Sequence, residues 1–157
     1  MRILIADASI VQRQRLAERL SAEVVGAEVV GEAKDASQAC ALIRELRPDV
    51  VILDVLMPKG TGMDVVTEMR AMEPRPIAIV LTNYRDPAVR TKCIDLGAAF
   101  FFDKTTEAQQ MLAVLKHLSQ DESAGRKSHA SPQGGHREQA LRNRCRTWFD
   151  AYQRVRV

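Results

Sequence analysis

Short runs that are apolar at every position recur along the first 118 residues, at Ile3–Ala6, Val50–Leu53, Ile77–Leu81 and Phe100–Phe102, with a weaker one at Val29–Val30. Continuous rather than alternating apolar character describes strands covered on both faces, as in a parallel sheet flanked by helices. Each run is followed by a longer polar stretch with helical spacing. Ala39, Leu42, Ile43 and Leu46 fall at i, i+3, i+4 and i+7, as do Ala108, Met111, Leu112 and Leu115, and Val65, Val66 and Met69 repeat the pattern less fully. Helix starts are marked as well. Ser9 with Gln12, Asp35 with Gln38 and Thr106 with Gln109 have capping-box spacing, and Asp86-Pro87 sets a cap residue before a proline at the first helical position. Five strand–helix pairs with right-handed crossovers predict a doubly wound α/β fold with five parallel strands in the order 2-1-3-4-5. The weakest runs, near Val29 and Phe101, belong at its edges.

The texture changes at Ser119. The reading is a globular domain over residues 1–120, a flexible linker over 121–137 rich in Ser, Gly, Gln and His, and a basic, helical tail over 138–157. In that tail Leu141, Cys145, Trp148, Phe149 and Tyr152 recover a helical period with arginines between them. Charge follows the same division. Residues 1–122 carry 15 Lys/Arg against 18 Asp/Glu, a balance of −3, whereas residues 123–157 carry 8 against 2, a balance of +6. The net +3 of the whole chain therefore belongs to its end.

No apolar run approaches the ~18–20 residues of a membrane span. The apolar stretch after Met1-Arg2 is too short for a signal peptide, so the expected location is the cytoplasm. Cys40, Cys93 and Cys145 are far apart and odd in number, which argues for reduced thiols. His117, His129 and His136 lack partners at zinc spacing.

Ligands of an open parallel sheet bind beyond the carboxyl ends of its strands. Strand 1 ends at Asp7, strand 3 at Asp54, strand 4 at Thr82, and strand 5 at Phe102-Asp103-Lys104. Two acids, a hydroxyl and an ammonium thus converge on one edge. A carboxylate can attack phosphorus, a cation can offset the charge, and a hydroxyl can bond a phosphoryl oxygen.

At this point residues 1–118 resemble the receiver domain of two-component response regulators. The matching segments are Ile3-Leu4-Ile5-Ala6-Asp7, Asp49 to Pro58, Gly62, Val80-Leu81-Thr82, and Gly97-Ala98 leading to Phe101-Phe102-Asp103-Lys104. The resemblance implies a flavodoxin-like receiver with a basic C-terminal extension. It implies that Asp54 accepts a phosphoryl group from a histidine kinase or phosphotransfer protein. Asp7, Asp54 and the backbone carbonyl of Leu56 would hold Mg²⁺. Lys104 would contact the phosphoryl group, Thr82 would move to bond it, and Phe101 would swing inward. The output would be a changed protein contact at the helix 4–strand 5–helix 5 face, with no enzymatic activity.

Three departures qualify the resemblance. Ala8 stands where the family has a second acid, its direct metal ligand, so Mg²⁺ binding should weaken. Thr105 follows Lys104 where the family often has a proline. Leu56 and Tyr84 occupy positions that in this family tune water access to the phospho-aspartate, and they imply slow hydrolysis.

Other readings compete. A phosphatase of the haloacid-dehalogenase type would need a second acid at the position of Leu56. A phosphorylation-independent pseudo-receiver, acting as a protein-interaction module, draws support from Ala8. Nucleic-acid binding would use Arg137, Arg142, Arg144, Arg146, Arg154 and Arg156 with Trp148 and Tyr152 of the tail.

Overall fold

The computed structural model describes residues 1–125, with side chains described through residue 120. Its elements alternate without exception: β1 (Arg2–Ala6), α1 (Ile10–Glu23), β2 (Glu28–Ala33), α2 (Ala36–Leu46), β3 (Val50–Leu53), α3 (Gly62–Met69), β4 (Ile77–Thr82), α4 (Pro87–Leu96), β5 (Phe100–Asp103) and α5 (Ala108–Gly125). The sheet order is β2-β1-β3-β4-β5, and every pairing is parallel. This is the doubly wound, flavodoxin-like arrangement expected from the sequence, with the two weakest runs at the edges.

Side chains of a strand point alternately to its two faces, so each apolar run feeds two cores. Leu4, Ala6, Val51, Leu53, Ala78, Val80 and Phe101 pack with residues of α2, α3 and α4. Ile3, Ile5, Val50, Ile52, Ile79, Leu81, Phe100 and Phe102 pack on the other face with residues of α1 and α5. That double duty is why β3 and β4 are buried along their whole length. The edge strand β2 is the least covered, with one buried residue, Ala33, whereas the other edge strand, β5, is buried throughout.

Helix starts follow the local signals in three of four cases. Ser9 Oγ accepts from Gln12 N, Asp35 Oδ1 from Gln38 N, and Asp86 Oδ1 from Ala88 N with Pro87 behind it. At the fourth, the turn before α5 is bonded by Asp103, whose carboxylate accepts from Thr106 N, rather than by Thr106 as the capping residue. Helix α3 has a full capping box. Thr61 and Asp64 cap α3 reciprocally, with Thr61 N on Asp64 Oδ2 at 2.7 Å and Asp64 N on Thr61 Oγ1 at 3.3 Å. Helix α5 continues to Gly125, five residues into the segment expected to be linker. The rest of that linker and the basic tail, with Cys145, His129, His136 and the arginine–aromatic set, lie outside the described residues.

Candidate functional site

The site lies at the topological switch point of the sheet. Strands β1 and β3 are neighbours, with Ala6 opposite Leu53, so the next residues, Asp7 and Asp54, emerge side by side. Their backbones are held by the ladder itself, Asp54 N on Ala6 O at 2.9 Å and Asp7 N on Ala33 O at 3.0 Å. Strand β5 sets Asp103 opposite Thr82, and Lys104 N then bonds Thr82 O at 2.9 Å. Four separated segments thus deliver their polar ends to one place because their apolar runs are in register.

The ammonium of Lys104 lies between the two acids, with Nζ 2.5 Å from Asp7 Oδ2 and 2.5 Å from Asp54 Oδ2. All three side chains are largely shielded from solvent. Burial alone pulls the Lys104 pKa down, but Asp54 and Asp7 outweigh it and hold the ammonium above the usual lysine value. The other oxygen of Asp54 accepts from Thr82 Oγ1 at 2.6 Å and from Leu56 N at 3.2 Å. Asp54 is therefore oriented by a lysine, a hydroxyl and a backbone amide, each from a different element or loop.

The β3–α3 loop that carries Leu56 is fixed on both sides. Gly62 N bonds Val55 O at 3.0 Å, Ala36 N bonds Pro58 O at 3.1 Å, and the Met57 side chain is buried. Gly62 is required by space, since a Cβ there would sit 2.2 Å from the carbonyl oxygen of Asp54.

Ala8 is exposed beside Asp7 and offers no carboxylate. Ser9 does not replace it. Its amide donates to Asp7 Oδ1 at 2.8 Å, and its hydroxyl is engaged in capping α1. Among the described residues no group of three or more His, Cys, Asp or Glu side chains is arranged to hold a metal. Two carboxylates that share one cation at 2.5 Å are still a donor set suited to Mg²⁺, which is usually bound by one or two carboxylates with water completing its shell. The residues present fit the ion with fewer protein ligands than the family's pattern supplies.

Phe101 is buried, at 5% exposure, with its side chain on the α4 face of the sheet. The Arg90 guanidinium lies 5.3 Å from the ring centroid, and its Nη2 donates to Phe101 O at 3.0 Å. Leu56 and Tyr84, the residues expected to tune water access to Asp54, are 59% and 42% exposed.

Two supports of the site carried no local signal. Arg13 of α1 donates to Asp7 O at 2.7 Å while pairing with Glu32 at 2.9 Å, which braces the β1 end. Asp103 has partners of its own: Oδ1 accepts hydrogen bonds from Thr105 N at 2.8 Å and Thr106 N at 2.9 Å, and Oδ2 forms an ion pair with Arg85, 2.6 Å from Nε.

Comparison with known proteins agrees with this geometry. Residues 3–116 match the model of the response regulator receiver domain. The chemotaxis protein CheY of Thermotoga maritima is 30% identical over 118 residues, which cover 75% of this chain and 97% of that protein. A protein-glutamate methylesterase/protein-glutamine glutaminase of Vibrio vulnificus is 34% identical over 109 residues, 69% of this chain but only 31% of the relative. The similarity to that enzyme is confined to its receiver part. Among solved structures, the signal receiver domain of the response regulator NarL from Mycobacterium tuberculosis superposes with a TM-score of 0.66 at 27% identity, covering 79% of this chain and 96% of the other. No helix among the described residues is long and apolar enough to cross a membrane. With residues 3–116 matched by the family model and a five-stranded parallel sheet in the order β2-β1-β3-β4-β5, the chain belongs to the response regulator receiver domain family, whose general function is phosphorylation on aspartate in two-component signalling.

Proposed function

We propose that Asp54 is the phosphoryl acceptor of this chain. The observation that carries the reading is the environment of its carboxylate: Oδ2 on Lys104 at 2.5 Å, Oδ1 on Thr82 at 2.6 Å and on Leu56 N at 3.2 Å. An acceptor carboxylate must meet a dianionic group, so fixed donors and a cation aimed at the reacting oxygens are what the transfer needs. One oxygen of Asp54 bonds to phosphorus as the donor's leaving group departs. Lys104 and the Thr82 hydroxyl offset the charge on the phosphoryl oxygens. Asp7, Asp54 and the Leu56 carbonyl hold Mg²⁺, which supplies further charge neutralisation when bound. Ala8 leaves that ion with weaker protein ligation than a second acid would give.

The donor in this reading is a histidine kinase or a phosphotransfer protein. The output is a changed protein contact on the face formed by α4, β5 and α5, with Phe101 as the internal switch. A new dianion next to Lys104 and Thr82 changes the local charge, and β5 connects that change to the face.

Intact mass after incubation with acetyl phosphate and Mg²⁺ tests this, run beside Asp54→Asn and Ala8→Asp. A phosphoryl adduct on the parent that disappears in Asp54→Asn is expected, with faster labelling or a lower Mg²⁺ requirement in Ala8→Asp. An adduct that persists in Asp54→Asn refutes the assignment of the acceptor.

A further inference from the structure

Lys104 must be held closely to serve two carboxylates at once. Its side chain has four rotatable bonds, and its Nζ is 2.5 Å from both Asp7 and Asp54 only while the backbone at 104 is fixed. The residue after it is Thr105, which lacks the ring that would restrain the loop if a proline stood there. Some other device has to fix this turn.

That device is visible one residue earlier. The amide, the carbonyl and Oδ1 of Asp103 are hydrogen-bonded, and Oδ2 has an ion pair in place of a hydrogen bond. Its amide donates to Glu107 Oε2 at 2.8 Å, and its carbonyl accepts from Glu107 N at 2.9 Å. Its Oδ1 accepts from the amides of Thr105 at 2.8 Å and Thr106 at 2.9 Å, the two residues after the lysine. Its Oδ2 pairs with Arg85 Nε at 2.6 Å, which ties the turn to the β4–α4 loop just beyond Thr82. Glu107 in turn lies 3.5 Å from Arg90, the residue over the Phe101 ring. Burial pushes the Asp103 carboxyl up, but the two amides and Arg85 more than offset it, so its pKa stays below the usual value and the anion persists at neutral pH.

We propose that Asp103 is a positioning residue for Lys104: by gathering the amides of Thr105 and Thr106 and the Arg85 guanidinium, it holds the β5–α5 turn in the one shape that sets the ammonium between Asp7 and Asp54. The proposal rests on the reading of Asp54 as acceptor for its consequence in the reaction, but not for its geometry. Asp103 touches neither acid and acts only through the lysine.

The test separates these two levels. The Lys104 Cε–Hε signal, assigned by its loss in Lys104→Arg, is followed by NMR in the full chain beside the rate of acetyl phosphate labelling. In Asp103→Ala the signal moves to the position of a free lysine, whereas in Asp103→Asn, whose Oδ1 still accepts both amides, it stays near the parent's. Arg85→Ala, which leaves the amide bonds intact, moves it in the same direction by less, and serves if Asp103→Ala does not melt cooperatively. Labelling slows at least tenfold in Asp103→Ala, and Asp103→Ala adds no further loss on a Lys104→Ala background. A Lys104 signal unmoved in both Asp103→Ala and Arg85→Ala overturns the proposal, as does an additive loss in the double variant. A signal that moves while the parent never takes phosphate upholds the positioning role and removes the acceptor reading instead.

Discussion

Replacing Gly62 by alanine sets two effects of opposite sign against each other. Gly62 opens α3, where alanine is favoured over glycine by ~1 kcal/mol of helix propensity. The added Cβ, however, would lie 2.2 Å from Asp54 O, 2.7 Å from Leu53 Cδ1 and 3.0 Å from Asp54 C. The leucine methyl can swing aside. The carbonyl cannot, because Asp54 N is anchored to Ala6 O at 2.9 Å and Gly62 N to Val55 O at 3.0 Å. Relief needs a backbone shift of about 1 Å in a packed loop, and overpacking of this kind costs ~1–3 kcal/mol, at the upper end where backbone must move. The steric cost therefore exceeds the propensity gain, and Gly62→Ala is expected to destabilise by about 2 kcal/mol net. For a domain of this size that corresponds to a fall in Tm of roughly 6–10 °C. Calorimetry gives the Tm, and acetyl phosphate labelling reports whether Asp54 has been displaced, which should cost at least tenfold in rate. Gly31→Ala is the control, because its Cβ would meet side-chain ends rather than backbone: Leu46 Cδ1 at 2.7 Å, Leu4 Cδ1 at 3.0 Å and Leu42 Cδ1 at 3.9 Å. A Tm for Gly62→Ala equal to or above the parent's would refute the argument that the acceptor loop is closed against a methyl group.

Asp35→Asn keeps a good N-cap on α2 but removes a charge whose pKa the Gln38 amide and Lys59 hold below the usual carboxylate range. A depressed folded pKa gives stability that is present above the unfolded value and lost as pH falls through the folded one. The parent's urea midpoint should thus drop more steeply than that of Asp35→Asn between about pH 4 and 2. Burial and the Glu68 carboxylate push the Cys40 thiol up to about 12, so iodoacetamide at pH 8 should label Cys40 at least 100-fold more slowly in the native chain than in urea, as read by peptide mass. Arg90→Ala removes the stacked guanidinium and its bond to Phe101 O, interactions worth about 1–2 kcal/mol together at a half-exposed site. Hydrogen exchange in β5 should accelerate roughly tenfold, and unchanged exchange would contradict a role for Arg90 in holding Phe101 inward.

The elements, their order and the strand ends were legible in the chain because they rest on local or periodic signals. Short continuous apolar runs mark strands whatever surrounds them, and Ser9, Asp35 and Asp86 form their caps within three residues. Once the sheet is parallel, Asp7, Asp54, Thr82 and Lys104 must share an edge. What held those side chains in place was decided only in three dimensions. Arg13 reaches back to the Asp7 carbonyl, Arg90 crosses to Phe101, and Arg85 closes on Asp103 from another loop. None of these pairs has a characteristic spacing, because each depends on where a long side chain points after two elements have packed. The inward Phe101 ring and the outward Leu56 side chain belong to the same class. Periodicity marks a residue as apolar, but only the packed neighbours choose between core and rim.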